Sequence, residues 1–231
     1  MFGQIFVAVA VTALFAALAY VLGMVSRGGA LGGLAVGSTI YLGLGPQGFA
    51  VLALFVVAGS ALTRLGYRSK EHSGTAEAHG GRRGVHNALA NCGVALLCAL
   101  LAALSSSEAF AAAFVGALGA AFADTAESEV GQLSRRTPRL ITNFRKVLPG
   151  TDGAVSLPGT LAGLAAAGLT ALLGLALGLI AGPDTALLVT GAAFLGTIVD
   201  SLVGALAPRL GNELTNFLCT LVAAALTFAF A

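Results

Sequence analysis

The chain has 231 residues, of which 57% are hydrophobic and 10% are charged, and its formal net charge is +2. Roughly 25% of the residues of an average soluble domain are charged, so this composition excludes an ordinary soluble protein. Several apolar runs reach the roughly 20 residues that a helix needs to cross a bilayer, whereas the strands of a membrane β-barrel are shorter and alternate polar with apolar residues. We therefore predict an all-α, polytopic transmembrane helix bundle that forms a single domain over residues 1–231.

Eight apolar runs predict eight spans along the chain. The first run lacks the basic n-region of a cleaved signal peptide, so we interpret it as a transmembrane helix. Gly-Pro-Gln-Gly at 45–48 and Ala-Gly-Pro-Asp at 181–184 predict tight reversals between spans. The predicted spans are 3–24, 28–44, 48–65, 85–104, 109–129, 157–181, 185–207 and 213–230.

The basic residues predict the orientation of these spans. All twelve Lys and Arg residues fall on alternate connections, which follow the first, third, fifth and seventh spans. By the positive-inside rule these four connections are cytoplasmic, including the long loops at about 66–84 and 130–156, and both termini lie outside. We expect an integral protein of a prokaryotic plasma membrane, with a functional site on the cytoplasmic face.

The segment 122–156 holds nine of the twenty-two Asp, Glu, Lys and Arg residues. Charge is expensive in or beside a bilayer, so such a patch is by default a candidate functional site. Asp124, Glu127 and Ser128 have i, i+3, i+4 spacing and therefore share one face of the fifth span. Asp200 lies about two turns from the cytoplasmic end of the seventh span.

These acids suggest a cation site. A carboxylate near a helix C-terminus faces the negative end of the helix dipole and is poorly solvated by lipid, so we expect it to be protonated or neutralised by a cation. Neighbouring Arg side chains and a divalent metal are both candidates. Mg²⁺ fits because it binds through one or two carboxylates together with substrate phosphates. We predict Asp124, Glu127 and Asp200 as its ligands.

Three helix N-termini on the same face are candidate anion sites, because their free N–H groups attract negative charge. Asn87 and Asn91 open the fourth span, and Asn216 lies near the start of the eighth. The turn Gly150-Thr151-Asp152-Gly153 can present backbone N–H groups to a phosphate before the sixth span begins. Acids, basic loops and helix N-termini thus meet at one interface, which suits phosphate together with a metal.

Plainer interpretations remain open for these residues. The basic side chains can serve only to anchor topology and contact lipid headgroups, and the acids can form hydrogen bonds between helices. The glycine ladders Gly29/Gly33/Gly37 and Gly174/Gly178/Gly182 favour close packing inside the bundle, with a homodimer as the alternative. Isolated Cys92, Cys98 and Cys219 fit buried, unreactive thiols. We expect no nucleic-acid partner.

Three segments resemble a known integral-membrane family, the one catalogued as domain of unknown function 92, which includes plant phytyl-phosphate kinase and mammalian transmembrane protein 19. They are TRLGYRSKEHSGTAEAHGGRRGVHNALANCGVA, FADTAESEVGQLSRRTPRLITNFRKVLPGTDGAVSLPGTLAG and TIVDSLVGAL…NELTNFL. The ADT-x-x-SE and PGTDG-x-VS texts are specific to the family, and the resemblance covers nearly the whole chain.

This resemblance implies a kinase that converts an isoprenoid monophosphate to its diphosphate with a nucleoside triphosphate, CTP or ATP, as donor. Asp124, Glu127, Lys146 and Asp200 are then expected to be catalytic. Within the family motifs, the residues expected to bind the phosphates and the nucleotide are Arg82, Arg83, Asn87, Asn91, Arg139, Gly150, Thr151, Asp152, Gly153 and Asn216. The isoprenoid tail would lie among the helices. A prenol kinase, a CTP-dependent lipid cytidylyl transferase and a transporter of small ions or lipid phosphates are the alternatives.

Overall fold

The computed structural model describes residues 2–134 and 136–231, so Arg135 lies outside the described residues. Long helices fill most of this part of the chain. They are α1 (Phe2–Val21), α2 (Arg27–Arg64), α5 (Val85–Ser105), α6 (Glu108–Gln132), α7 (Leu157–Ala176), α8 (Pro183–Leu206) and α9 (Gly211–Phe230), with the short helices α3 (Tyr67–His72) and α4 (Ala78–Gly81) between α2 and α5. A 3₁₀ turn spans Pro208–Leu210, and the two-residue strands β1 (Arg139–Leu140) and β2 (Ala154–Val155) pair antiparallel. The all-α membrane bundle is confirmed.

Helix α2 is a helical hairpin that supplies two spans. Gly45 has φ 66° and ψ −167°, which breaks the helix next to Pro46. A Cβ on Gly37 would lie 3.7 Å from Leu52 Cδ2, whereas fifteen residues of a straight helix span about 22 Å. The arms 27–44 and 46–64 therefore lie side by side. Among the described residues, seven helical segments are long and apolar enough to cross a membrane, and since α2 crosses twice, the predicted eight spans agree.

The C-terminal ends of α6 and α7 differ from the sequence prediction. Helix α6 continues to Gln132, three residues past its predicted end. Helix α7 ends at Ala176 instead of continuing to 181, and Gly178 adopts φ +71° in the following turn. The predicted ladder of Gly174, Gly178 and Gly182 is therefore wrong as a helical stripe. Only Gly174 packs within a helix, where an added Cβ would approach Val115 Cγ1 to 2.8 Å.

Helix α6 is the centre of the bundle. In its most apolar stretch 78% of the residues are buried, against at most 44% for the other spans, and it packs on α2, α5, α7, α8 and α9. Alanine and glycine dominate its sequence from 111 to 123, which allows neighbouring backbones to approach closely without bulky side chains between them. The three cysteines are free and buried, as the sequence predicted.

The connections 22–26, 65–84, 133–156 and 207–210 meet at one end of the bundle, which we call the basic end. Arg64 donates a hydrogen bond to the Leu22 carbonyl there. A Cβ on Gly66 would approach Leu133, and one on Gly150 would approach Thr75. The predicted alternation of connections with and without basic residues therefore corresponds to two ends of the bundle. The assignment of the basic end to the cytoplasm stays a prediction.

A buried ion pair attaches α3 to the bundle. Lys70 is 1% exposed, and its Nζ lies 2.5 Å from Glu129 Oε2 of α6. The same ammonium group donates to the carbonyls of Leu62 (3.1 Å) and Thr63 (2.8 Å) in the last turn of α2. Since an ammonium group has three N–H donors, all three are satisfied. This contact holds the 65–84 loop over the end of α6.

Candidate functional site

A polar cavity of about 400 Å³ opens at the basic end, between α5, α6, α8, α9 and the turn before α7. Most of the residues singled out in the sequence line it. The predicted residues on its wall are Arg83, Asn87, Asn91, Asp124, Glu127, Gly150, Thr151, Asp152, Gly153, Asp200 and Asn216. The bundle thus brings together residues up to 133 positions apart in the sequence.

The acids of α6 face this cavity because of their helical spacing. Asp124, Glu127 and Ser128 all line it, two turns or less from the end of the helix. Glu127 is held by α7, since the Thr160 hydroxyl donates to its Oε1 at 3.1 Å. Small residues permit this contact: a Cβ on Gly159 would lie 2.5 Å from the Glu127 carbonyl oxygen. Glu127 is therefore fixed in place by the packing of α6 on α7.

Asp124 and Asp200 have fewer partners than Glu127. Asp200 Oδ1 is buried and has no hydrogen-bond partner. Within 2–134 and 136–231, no group donates a hydrogen bond to the carboxylate of Asp124. Buried polar groups in native structures are almost always paired, and an unpaired carboxylate is costly in a low dielectric. The two acids from α6 and α8 therefore form an incomplete set of oxygen ligands, which suits a cation.

These oxygens fit Mg²⁺, though not as a complete protein cage. In the described part of the chain, no three His, Cys, Asp or Glu side chains converge closely enough to hold a metal by themselves. The predicted trio of Asp124, Glu127 and Asp200 lines one cavity without forming such a cluster. Mg²⁺ commonly keeps waters and takes phosphate oxygens beside one or two carboxylates. A site completed by a phosphorylated ligand agrees with this donor set.

Arg83 is the cation that faces the acids. The Arg83 N–H donates a hydrogen bond to Met24 O at 3.2 Å, and the Arg83 carbonyl accepts one from Ser26 N–H at 3.0 Å. Its Nη2 donates to Thr125 Oγ1 at 3.3 Å, and the guanidinium carbon lies 5.1 Å from the ring centre of Phe55. Nη1 is buried and has no partner.

This unpaired guanidinium suits an anionic ligand. Burial lowers the pKa of the Arg83 guanidinium, and the carboxylates of Glu129 and Glu77 oppose that shift. Because arginine remains protonated in proteins, the buried Nη1 keeps a positive charge and N–H donors available. A phosphate oxygen supplies both the charge and the acceptor that this group lacks.

The turn at 150–153 is packed on the C-terminal part of α8. Gly150 and Gly153 have φ +82° and +73°, and a Cβ on Gly153 would lie 2.5 Å from the Ser201 carbonyl oxygen. The N–H of Thr151 is bonded to Leu148 O, so the turn is only partly free to bind an anion. Asp152 is thereby brought to the same wall as Asp200.

The helix N-termini contribute amides and hydroxyls. Asn87 and Asn91 form one face of α5, where Asn91 Nδ2 donates to Asn87 O at 3.0 Å. Asn216 reaches the cavity from the second turn of α9. The Ser156 hydroxyl accepts from Gly159 N and so caps α7. The α7 terminus therefore has one of its free N–H groups already satisfied.

Three predicted ligands lie outside the cavity wall. Arg139 is exposed and its Nη1 donates to Phe144 O at 2.7 Å, so it closes its own loop. Lys146 is exposed and bridges to Arg139 through the backbone. Arg82 points away from Arg83, toward Gly23. The 133–156 loop folds on itself, which the sequence alone did not reveal, and it leaves these cations at the surface of the basic end.

The cavity is more acidic than the sequence suggested. Among the described residues its wall carries one cation, Arg83, and seven carboxylates, which are Glu77, Asp124, Glu127, Glu129, Asp152, Asp200 and Glu213. Glu77, Glu129, Glu213 and the amide Gln132 were not predicted as site residues. Glu129 and Gln132 continue the spacing of Asp124 and Thr125 along α6, a signal that was available. Glu77 gave no such signal because it lies in an irregular loop.

The fold and cavity define a polytopic helical membrane protein with a polar, acid-rich site at one end of its bundle. Comparison with known sequences places it further: the profile of the family described as integral membrane protein DUF92 matches residues 10–224. The chain belongs to this family, as the sequence motifs predicted. No solved structure matches it.

Relatives come from three kinds of organism. The chain is 37% identical over 198 residues to an uncharacterized membrane protein of Synechocystis, covering 83% of this chain and 76% of that protein. It is 38% identical over 177 residues to an uncharacterized membrane protein of Methanocaldococcus jannaschii, covering 74% and 71%. It is 34% identical over 175 residues to the chloroplastic protein VTE6 of Arabidopsis thaliana, covering 74% of this chain but only 52% of that protein.

Proposed function

We propose that the protein is a prenyl-phosphate kinase, which transfers a phosphoryl group from a nucleoside triphosphate to an isoprenoid monophosphate in the bilayer. The observation that carries this proposal is that carboxylate oxygens and one buried guanidinium nitrogen lie in the same cavity without hydrogen-bond partners. Asp200 Oδ1 and Arg83 Nη1 are both buried without partners. A metal-bound phosphate satisfies both groups, and the family resemblance supplies the reaction.

Charge decides what the site must do. The acceptor is already a phosphate anion and needs no strong base, so mutual repulsion of two polyanions is the main barrier. With seven carboxylates on its wall, the cavity repels both substrates when no cation is bound. We therefore expect strict dependence on a divalent cation. Bound Mg²⁺, held by Asp124 and Asp200, would neutralise and align the phosphates.

The protein residues then act on binding and orientation. An oxygen of the isoprenyl phosphate bonds to the γ-phosphorus of ATP or CTP and forms the isoprenyl diphosphate. The bond from that phosphorus to the β,γ-bridging oxygen breaks and releases the nucleoside diphosphate. Arg83 would hold an oxygen of the acceptor phosphate. The turn at 150–153 and the amide of Asn216 would contact the nucleotide. Glu127, fixed by Thr160, would orient the ligands of the metal.

The first test is product formation by the purified protein. With Mg²⁺ and ATP or CTP it should convert isoprenyl monophosphates of several chain lengths to diphosphates. Asp124→Asn and Asp200→Asn should each lower kcat by about 10²–10³-fold, as expected for loss of one preorganised electrostatic group. Asp184→Asn is the matched control, since Asp184 is an exposed acid in the first turn of α8 at the opposite end.

The products distinguish the related enzymes. Phosphorylation of the isoprenoid alcohol and not of its monophosphate would make the protein a prenol kinase. Release of inorganic diphosphate together with a nucleotidyl-lipid product would make it a cytidylyl transferase. Failure to form an isoprenyl diphosphate from any monophosphate across chain lengths would refute the kinase proposal, whatever other product appears.

A cation transporter is the second candidate, because the carboxylate excess of the cavity favours cations. Transporter sites usually lie near the bilayer midplane at broken helices. Here Asp124 and Asp200 lie within unbroken helices, six to eight residues from their ends at the basic end. Cation flux into liposomes that Asp124→Asn abolishes, without nucleotide turnover by the parent chain, would establish this alternative.

A further inference from the structure

A second cavity lies beside the polar one and differs from it in chemistry. It is a narrow slot of about 60 Å³ between α1, both arms of α2 and the start of α5. Apolar side chains such as Phe15, Val36 and Leu52 form nearly all of its wall. Arg83 and Asn87 line both cavities. The two spaces therefore meet at the guanidinium that the polar cavity uses.

The slot runs along the bundle from the basic end toward the Gly45 reversal. Gly29 and Val36 line the same arm of α2 seven residues apart, which corresponds to a length of about 10 Å. Phe15 and Phe49 close the far end, with their rings edge to face at 5.4 Å between centroids. Phe55 lies at the other end under Arg83. One end is thus cationic and the rest is hydrocarbon.

We infer that this slot receives the first part of the hydrocarbon tail of a lipid monophosphate whose phosphate lies at Arg83. The inference rests on the proposed function and names the place of its substrate's tail. The shared guanidinium argues for this occupant, because a tail lying here sets its own headgroup beside the polar cavity.

The size of the slot sets how much of the tail it holds. At about 10–15 Å³ for each probe-sized group, 60 Å³ accommodates about four to six carbons. The remainder of a longer tail lies in the bilayer. Helix α1 packs mainly on α2, and only 22% of its most apolar stretch is buried. A tail therefore enters sideways from the membrane, beneath α1.

The slot positions the lipid substrate for reaction and adds little to the affinity for it. Lipid chains are as apolar as the side chains of the wall, so moving a tail from bilayer to slot gains little free energy. Correct placement of the reacting phosphate, however, strongly affects rate. Blocking the slot should therefore lower kcat/KM for the lipid acceptor, mainly through kcat, and leave the KM for the nucleotide unchanged.

Gly33 provides the substitution that blocks the slot. It lines the slot, and an added Cβ would meet no atom within 4 Å. Gly33→Leu therefore places four carbons in the space without a backbone clash. Ala16 lines the slot from α1, and Ala16→Leu adds three carbons there. Gly191→Leu is the matched control, because Gly191 is an exposed helical glycine of α8 with equally open surroundings.

The test is photolabelling of the full chain in phosphatidylcholine vesicles. The probe is phytyl monophosphate with a diazirine on a carbon of its first isoprene unit, and adducts are mapped by mass spectrometry. We expect adducts on α1 and α2 that excess unlabelled phytyl monophosphate removes. Gly33→Leu and Ala16→Leu should each lower them at least about tenfold, while Gly191→Leu leaves them unchanged. The kcat for phytyl monophosphate should fall with the first two variants only.

The outcomes separate the slot from the reaction, because labelling needs no turnover. Competed adducts on α7 or α8 in a chain that forms diphosphate overturn the slot and leave the kinase standing. Competed adducts in the slot of a chain that forms no diphosphate support the slot and refute the kinase. Slot adducts that unlabelled phytyl monophosphate does not remove, as ordinary bilayer lipids would give, overturn the inference.

Discussion

Removal of the Lys70 ammonium should destabilise the protein strongly, although Lys70 lies in a loop of the sequence. Lys70→Met leaves the Glu129 carboxylate, which is 7% exposed, without its cation. It also leaves the last carbonyls of α2 without the two hydrogen bonds that Lys70 donates. Methionine preserves the length of the side chain, so packing changes little. The effect of the substitution therefore reports the polar contacts.

The expected magnitude follows from the buried pair. Breaking a buried ion pair by removing one partner costs about 3–5 kcal/mol, because the other charge stays behind. Replacing both partners with apolar residues of similar size is often close to neutral. Lys70→Met should therefore lower the free energy of unfolding by about 3–5 kcal/mol. The double variant Lys70→Met/Glu129→Leu should recover most of that loss.

A double-mutant cycle measures this coupling. Unfolding of the parent, both single variants and the double variant is followed in mixed micelles by circular dichroism. Arg68→Met, an exposed cation of the same helix, is the matched control and should change stability by less than about 0.5 kcal/mol. If the double variant loses the sum of the two single effects, Lys70 and Glu129 are not coupled and the reasoning is refuted.

Three further predictions concern backbone approach and topology. Gly159→Ala places a Cβ 2.5 Å from the Glu127 carbonyl oxygen and should destabilise the protein by about 1–3 kcal/mol in thermal unfolding. The control Gly168→Ala, whose added Cβ has its nearest neighbour at 3.9 Å, should be neutral or stabilising. Equal effects of the two variants would contradict the close packing of α6 on α7. The Cβ added by Gly29→Ala would lie 2.2 Å from the Arg83 carbonyl oxygen, whereas the Cβ added by Gly28→Ala has its nearest contacts at 3.9 Å. Only Gly29→Ala should therefore displace Arg83 and lower kcat/KM for the proposed reaction, by about tenfold or more. Gln47→Cys and Arg68→Cys should react with an impermeant thiol reagent from opposite sides of the membrane, and labelling of both from one side would exclude the α2 hairpin.

The turns between spans could be predicted from the sequence more reliably than the ends of the helices. Gly45 and Pro46 interrupt an otherwise apolar run, and glycine at φ 66° allows the chain to reverse there, so the hairpin was visible in the sequence. The end of α7 was not, because Leu177, Leu179 and Ile180 continue the apolar run beyond the helix. Hydropathy indicates whether a segment lies in lipid or in water, but it does not indicate whether its backbone is helical.

The sequence by itself determined the membrane bundle, the alternation of connections with and without basic residues, and the acids of α6 and α8, because bilayer thickness and the cost of charge leave few alternatives. Only the tertiary structure decided which cations join those acids. Arg82 and Arg83 are neighbours in the chain, but the backbone pairing of Arg83 with Met24 and Ser26 directs only Arg83 into the cavity. Side-chain direction in a loop depends on contacts with distant residues, which a local pattern does not contain. For the same reason, the apolar slot that meets the polar cavity at Arg83 became visible only when α1, α2 and α5 were packed together.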